Sequence, residues 1–220
     1  MNLFVVTGQF RSGTSAVAQV LQALRCPMAV AIAPPLDPIN QFDWEDALVL
    51  GKLVASFERT KKMKWRPDDI KQMRMWFEYY IGLRIESAAS FAKNTNTPIN
   101  SIGVKSPYYA AFIPEIKAAI KGLNLKPQII VCKRDETERI ESMRRTILRF
   151  QHVDEVMDSD ARIRKSLETV KPSLEVHLEE LRAHPEEVVR DLAHIADQTC
   201  EKRIADAISV VRQETASCLG

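Results

Sequence analysis

The first stretch of this sequence that could do chemistry is a glycine-bearing loop of the kind that binds phosphate. Its residues are Gly8-Gln9-Phe10-Arg11-Ser12-Gly13-Thr14-Ser15. The two glycines have the G-x-x-x-x-G spacing of a loop that runs from a strand into a helix, where a curled backbone points successive N–H groups at one anion. The sequence therefore predicts that this segment binds a phosphate-like anion, with Arg11 as its cation. The alternative is a tight turn in which Ser12 or Thr14 only caps the helix.

The position of the cation separates this loop from those of nucleotide hydrolases and kinases. In those enzymes a Lys follows the second glycine and a Ser or Thr then holds Mg²⁺, whereas here Thr14 takes the Lys position and Arg11 lies inside the loop. The Asp that would hold Mg²⁺ at the end of another buried strand is also missing, because the apolar run 129–132 continues into Lys133 and Arg134. The sequence predicts an anion site without a metal.

The elements that would position this loop alternate between short apolar runs and helical patterns. Strands are predicted near 3–7, 99–105, 128–133 and 174–177, and helices over about 14–24, 43–59, 68–92, 108–121, 136–150, 154–170, 178–196 and 200–213. Alternation of this kind predicts parallel strands joined by right-handed crossovers. We expect an α/β fold, a three-layer sandwich with a central parallel sheet. It would form a single domain over 1–220, with helical excursions at about 41–92 and 150–172.

Composition narrows the classes of protein to which the chain can belong. Of its 220 residues, 45% are hydrophobic and 27% charged, which is ordinary globular usage and excludes a low-complexity or disordered chain. The net charge of +2 gives no field that would attract nucleic acid or an anionic membrane. No segment approaches 18 uninterrupted apolar residues and no signal peptide is recognisable, so we expect a cytoplasmic protein. The four widely spaced cysteines are predicted to be reduced, and the four histidines lack the spacing of metal ligands.

Two separated motifs resemble the sulfotransferase family. Its 5′-phosphosulfate loop reads roughly P-R-S-G-T-[ST], which 11–15 reproduces with Phe10 in place of the proline. In the family a strand is also followed by an Arg and, eight residues later, a Ser; Arg134 and Ser142 have this spacing. Weaker likenesses are Pro34-Pro35 with the acidic run after it, Lys105-Ser106-Pro107 for the family's K-[TS]-P, and the strand-helix junction at 175–186. The resemblance covers about 3–197, and no C-terminal Gly-Lys loop is recognisable.

The resemblance implies a P-loop nucleotide-binding fold and a role for each matching residue. The co-substrate would be 3′-phosphoadenosine 5′-phosphosulfate, with no metal. Arg11 and the loop residues Gly8, Ser12, Gly13, Thr14 and Ser15 would hold its 5′-phosphosulfate, and Arg134 and Ser142 its 3′-phosphate. Lys105 ends a predicted strand, where α/β sheets place ligand contacts, and could stabilise charge on the transferred group. The alternative for Arg134 and Ser142 is an ordinary cation at an interface and an ordinary serine on a helix. The alternative for Lys105 is a lysine whose ammonium group reaches solvent from the end of a strand.

A hydroxyl acceptor also needs a base, and the sequence offers a carboxylate for it. The His that follows the K-T pair in animal cytosolic members is replaced by Pro107. Other family branches use a carboxylate from the loop after the first helix. Glu45 is the first candidate here, followed by Asp46, Asp43 and Asp37. Acids at the start of a helix are, however, also expected from the helix dipole alone.

Two further groups of residues have both a functional and a structural interpretation. The predicted helix 136–150 carries Arg139, Arg144, Arg145 and Arg149. A solvated basic face explains most of them, although one could reach a nucleotide. The aromatic residues Trp65, Trp76, Phe77, Tyr79 and Tyr80 could line an acceptor pocket. The helical spacing of Ile70, Met73, Phe77, Tyr80 and Ile81 favours a core face instead.

The sequence leaves three functions open. The first is a sulfotransferase with a small-molecule or carbohydrate acceptor, the second a P-loop small-molecule kinase, and the third a catalytically degenerate nucleotide-binding module. Lipid, peptide and phenol acceptors also stay open. Irregular segments would select the acceptor, and their shape cannot be predicted from the sequence. The oligomeric state is equally open.

Overall fold

A four-stranded sheet, all parallel, forms the centre of the computed structural model, which describes residues 1–28, 47–62, 66–96, 98–147 and 153–219. The strands are β1 (Asn2–Gly8), β2 (Ser101–Lys105), β3 (Lys126–Lys133) and β4 (Leu174–His177). Their order in the sheet is β2-β1-β3-β4, so the first strand is interior. The predicted α/β class and parallel sheet are confirmed.

Helices connect these strands and follow the last of them. They are α1 (Thr14–Ala23), α2 (Ala47–Lys62), α3 (Pro67–Thr95), α4 (Ile113–Ala119), α5 (Glu136–Ile147), α6 (Val153–Leu167), α7 (Leu178–Ala183), α8 (Pro185–Ile195) and α9 (Glu201–Leu219). Turns of 3₁₀ helix at Pro107–Phe112 and Ile120–Leu123 flank α4.

The two faces of the sheet bury separate apolar clusters. In β1, Phe4 and Val6 pack with residues of α1, α8 and α9 on one face. Leu3 and Val5 pack on the other face with residues of α2, α3 and α4. All four side chains are fully buried, and each contributes about 1.5–3 kcal/mol relative to an exposed position. This arrangement of helices on both faces is consistent with the predicted three layers, and it explains the unbroken apolar run of the strand.

Two helix predictions need correction. The segment 178–196 was expected to be one helix, but His184 separates α7 from α8, because Pro185 cannot continue the first helix and instead begins the second. The segment 108–121 is a short α-helix between two 3₁₀ turns. The irregular loop predicted for 27–40 lies almost wholly outside the described residues. Cys26, Cys132 and Cys200 are free thiols, as predicted. Within the described ranges, no helix is both long and apolar enough to cross a membrane.

The carboxyl ends of all four strands meet at one edge of the sheet because the strands are parallel. Val6 pairs with Lys105 in β2, and Gly8 pairs with Cys132 in β3. β2 lies on one side of β1 and β3 on the other, and α/β sheets bind ligands at the carboxyl edge where the strand order reverses in this way. The loop after β1 and the residues that follow β2 and β3 therefore lie at the same edge.

Candidate anion-binding site

The loop between β1 and α1 curls back on itself. Arg11 and Gly13 have positive φ angles of 64° and 91°, and the Ser12 amide donates a hydrogen bond to the Gln9 carbonyl over 3.2 Å. Left-handed backbone is unfavourable for an arginine by about 1–2 kcal/mol, so the surrounding contacts must hold Arg11 in place. The curl ends at Thr14, where the first-turn amides of α1 have no acceptor within the helix. This geometry is typical of a loop that binds an anion.

Both glycines of the loop are required by close contacts. A Cβ on Gly8 would lie 2.4 Å from the Ser12 Oγ and 2.5 Å from the Cys132 carbonyl oxygen. A Cβ on Gly13 would lie 2.9 Å from a Leu178 methyl carbon, and the positive φ at Gly13 adds strain for any larger residue. The loop thus packs directly on β3 and on the start of α7, which fixes its height above the sheet.

The Ser12 hydroxyl is a buried polar group that has no hydrogen-bond partner among the described residues. The residue is 2% exposed, and leaving such a group unsatisfied costs about 1–3 kcal/mol. A hydroxyl in a curled loop, next in the chain to Arg11 and close to the helix-start amides in sequence, is a suitable donor for a phosphate or sulfate oxygen. The donor set therefore fits an anion at this place.

Residues of the two separated motifs lie together. The Arg11 Nε donates a hydrogen bond to the Ser142 Oγ over 3.2 Å, although the residues are 131 positions apart. Ser142 lies on α5 and is buried. The Arg134 Nη1 lies 3.5 Å from the Arg11 carbonyl oxygen, and the Arg134 Nη2 donates to Glu138 over 3.1 Å. The fold thus gathers two guanidinium groups and a serine hydroxyl at the carboxyl edge of β1 and β3.

A buried ion pair holds the loop from the side of α5 and α6. The Asp160 carboxylate accepts hydrogen bonds from the Phe10 amide at 3.0 Å and from the Gln9 side chain at 3.2 Å. It also pairs with the Arg139 Nη1 at 2.7 Å, and both side chains of the pair are about 5% exposed. We call Asp160 and Arg139 the loop clamp. Arg139 is therefore an exception to the solvated basic face predicted for most arginines of this helix, since Asp160 supplies its counter-charge in the interior.

Sequence reasoning missed the loop clamp. Asp160 lies in the segment 154–170, for which the sequence predicted a helix and no partner. The pairing of residues on two different helices has no local signature. Glu136 binds the outer side of Arg139 through two hydrogen bonds of 2.9 Å. Burial acts against the charged form of Arg139, but hydrogen bonds and charges from Glu136 and Asp160 outweigh it and raise its pKa. Arg139 lowers the pKa of Glu136 in turn, mainly by hydrogen bonding.

Lys105 ends β2 at the same edge and is 7% exposed. Its backbone pairs in register with Val6, two residues before Gly8. Burial raises the pKa of the Cys132 thiol, and the positive charge of Lys105 opposes that shift, so the ammonium group lies within electrostatic range of the end of β3. Ser106 then caps the following 3₁₀ helix by accepting the Tyr108 amide at 3.3 Å. Lys105 is therefore a buried cation at the edge of the sheet from which the loop leaves β1.

The remaining predicted site residues lie partly outside the described part of the chain. Glu45, Asp46, Asp43 and Asp37, the candidate bases, are outside the described residues, as is Trp65. Phe10, which replaces the family's proline, packs edge-on against Tyr108 with ring centres 5.6 Å apart. On α3, Met73, Phe77 and Ile81 are buried as predicted for a core face.

The assembled site is a cationic, partly buried group of side chains at the carboxyl edge of the sheet, with a carboxylate beside it. Arg11, Arg134 and Lys105 supply positive charge, and Glu138 supplies the carboxylate. Such a site can bind an anion with two separated negative groups and can stabilise charge that develops on it. Comparison with protein-family models and with curated proteins gives no match for this chain.

Proposed function

We propose that this chain is a sulfotransferase that binds 3′-phosphoadenosine 5′-phosphosulfate and delivers the sulfuryl group to a small-molecule or carbohydrate acceptor. The observation that carries the proposal is the 3.2 Å hydrogen bond between Arg11 and Ser142. Each residue belongs to a different motif that resembles the family, and residues this far apart in sequence have no local reason to meet. The pairing of β1 with β3 brings both motifs to one edge of the sheet, and the hydrogen bond joins their polar side chains there.

The residues divide into two anion-binding groups. The Arg11 guanidinium, the Ser12 hydroxyl and the first amides of α1 form the group that fits a 5′-phosphosulfate. Arg134 and Ser142 form the group that fits a 3′-phosphate, because a guanidinium grips phosphate through two parallel N–H bonds. When bound, the co-substrate supplies an activated sulfuryl group and leaves as the 3′,5′-bisphosphate.

Glu138 gives the second group a resting partner. Its carboxylate accepts from the Arg134 Nε at 3.4 Å and Nη2 at 3.1 Å, while its own side chain is 51% exposed. An exposed carboxylate can turn into solvent at small cost, since exposed ion pairs contribute about 0–1 kcal/mol. Arg134 is thus kept oriented in the free protein and released to a phosphate dianion, which neutralises it more strongly.

Lys105 supports catalysis through its charge. It is buried at the end of β2, beside the strand that leads into the loop, where it can balance negative charge that builds up between the departing phosphate and the sulfuryl group. Holding the loop rigidly matters equally, because a transfer of this kind depends on alignment of the donor and acceptor. The loop clamp and the contacts of Gly8 and Gly13 supply that rigidity.

A transfer assay tests the proposal. The chain is incubated with 3′-phosphoadenosine 5′-[³⁵S]phosphosulfate and a panel of carbohydrate, phenol, amine and peptide acceptors, and labelled products are separated. We expect transfer to at least one acceptor class, with strong loss in Arg11→Ala and little change in Lys133→Ala, a neighbouring exposed cation. Phosphoryl transfer from ATP with Mg²⁺, with no sulfuryl transfer, would contradict the proposal and favour a kinase.

A further inference from the structure

One face of α3 carries large apolar side chains that the described part of the chain leaves exposed. Met75, Tyr79 and Leu83 are 60%, 66% and 44% exposed. Because they are spaced four residues apart, they lie along one side of the helix. They line a groove of about 330 Å³ together with Glu78, Gly82 and Glu86. A contiguous exposed apolar face rimmed by charges marks an interaction surface.

Gly82 lies in this groove, and the part of the chain that the structure describes does not require a glycine there. A Cβ added there would have nothing within 4 Å, so no described atom requires a glycine. Glycine in a helix interior is destabilising because it has more backbone freedom to lose than alanine. Its missing side chain does lower the helix surface at this point, so that a second helix can approach closely.

Charges of opposite sign flank the apolar stripe at matched distances. Lys71 lies eight residues before Tyr79 and Glu86 seven residues after it, which corresponds to about 12 Å and about 10 Å along the helix. Met75 and Leu83 are each four residues from Tyr79. If two such helices run antiparallel about a two-fold axis at Tyr79, Met75 of one copy lies level with Leu83 of the other. The same axis places Lys71 level with Glu86.

The next charges along the face continue the pattern. Asp68 lies eleven residues before Tyr79 and Lys93 fourteen residues after it, a difference of about 4–5 Å along the helix, which long side chains can span. Both are exposed. In the antiparallel arrangement every one of these charges faces its opposite, whereas a parallel arrangement would place each charge beside its own copy.

We propose that two copies of the chain associate through this face of α3, with the helices antiparallel about a two-fold axis at Tyr79. A two-fold interface uses the same patch on both copies and must be self-complementary, which is the property that the charge order and the central apolar residues provide. The helix is about 40 Å long. A pair of this length buries on the order of 1,000–1,500 Å² in total, at the lower end of specific interfaces. The dimer forms reversibly and does not depend on the proposed function.

Sedimentation equilibrium of the full chain tests the association. We expect the average mass to rise from the 25.0 kDa of one chain towards twice that value as the concentration increases into the micromolar range. Tyr79→Glu and Leu83→Glu should each raise the dissociation constant of the dimer at least tenfold and leave the circular dichroism spectrum unchanged. A wild-type chain that keeps the mass of one copy up to about 200 µM would overturn the proposal.

Charge exchange tests the antiparallel geometry. Lys71→Glu and Glu86→Lys each place like charges opposite one another and should weaken the dimer several-fold, whereas the double variant should restore wild-type association. Lys202→Glu on α9 is the matched control, because Lys202 is equally exposed but lies on another helix, and it should have no effect. If the double variant associates no better than the single ones, the antiparallel pairing is wrong.

Cross-linking locates the axis. In a background with Cys200→Ser and Cys218→Ser, Tyr79→Cys places two thiols at the two-fold axis, where they should form an intermolecular disulfide under mild oxidation. Lys71→Cys places its two thiols far apart and should remain unlinked. Efficient linking at Lys71→Cys, with none at Tyr79→Cys, would contradict the arrangement.

Discussion

Asp160 and Arg139 form an ion pair 2.7 Å long in the interior, and each side chain is about 5% exposed. The pair joins α6 to α5, and both of its members reach the backbone of the loop at Phe10. Asp160 accepts the Phe10 amide at 3.0 Å, and the Arg139 Nη1 lies 3.4 Å from the Phe10 carbonyl oxygen. The loop therefore owes its position to two helices that lie far from it in sequence.

Breaking the loop clamp should destabilise the fold and loosen the anion site. Asp160→Ala leaves Arg139 buried without its internal partner, and such a loss costs about 3–5 kcal/mol. Denaturation in urea measures this cost. The double variant Asp160→Leu with Arg139→Met removes both charges and should recover much of the stability. Its anion affinity should stay low, since the Phe10 amide still lacks its acceptor. Equal recovery of stability and affinity would show that the pair does not position the loop.

Arg134→Ala should weaken the binding of 3′-phosphoadenosine 5′-phosphate by about 2–4 kcal/mol, the range of a lost charge-assisted contact. The binding of adenosine 5′-phosphosulfate should barely change, because that ligand lacks the 3′-phosphate. Calorimetric titration of both ligands provides the comparison.

Lys133→Ala is the control for this experiment. Lys133 precedes Arg134 but pairs with Glu175 at 2.7 Å, and both side chains are nearly half exposed. Its loss should therefore leave both affinities near wild type. If Arg134→Ala weakened the two ligands equally, the assignment of Arg134 to the 3′-phosphate would be wrong.

Gly8→Ala should abolish anion binding while the chain stays folded. The added methyl group would lie 2.4 Å from the Ser12 Oγ and 2.5 Å from the Cys132 carbonyl oxygen, so the loop must lift away from β3. Overpacking of this kind costs about 1–3 kcal/mol. At Gly122, the nearest atom to an added Cβ would be a Glu78 carboxylate oxygen at 3.4 Å, the movable end of a side chain. Gly122→Ala should therefore retain binding, and loss of binding in both variants would argue against a specific loop contact.

Low pH should reduce the free energy of unfolding, in part because Glu136 becomes protonated. Arg139 lowers the pKa of this carboxyl below its ordinary value of 4.5, mainly by hydrogen bonding. A carboxyl whose pKa is lower in the folded than in the unfolded state stabilises the fold when the pH is above its unfolded pKa. This contribution is lost as the pH falls through its folded pKa. The free energy of unfolding should thus fall less steeply below about pH 4.5 in Glu136→Gln than in the wild type. Asp206→Asn, an exposed change on α9, should keep the wild-type slope.

The sequence predicted the local parts of this structure because their causes are local. The run Leu3–Thr7 could only be a strand buried on both faces, and the glycines after it required a curled turn. The break at Pro185 was also visible in the sequence, but the apolar periodicity over 178–196 continued across it and suggested one helix.

Contacts between distant segments were not predictable in the same way. The hydrogen bond between Arg11 and Ser142 was not predicted. The resemblance to a family placed both residues at one co-substrate but paired Ser142 with Arg134, and no propensity or periodicity links positions so far apart. Arg139 has the spacing of a surface residue on α5, and only the packing of α6 against α5 buries it beside Asp160. The periodicity of a sequence predicts which side chains share a helix face, but the whole fold decides which element packs against that face.

Calorimetric titration with 3′-phosphoadenosine 5′-phosphate, in parallel with ATP and Mg²⁺, tests the proposed function most directly. We expect the bisphosphate to bind without a metal, its affinity to fall in Arg11→Ala and in Ser142→Ala, and ATP with Mg²⁺ to bind much more weakly. Both variants remove one side of the contact that joins the two motifs. Tight binding of ATP with Mg²⁺, and none of the bisphosphate, would contradict the assignment of this site to a sulfotransferase.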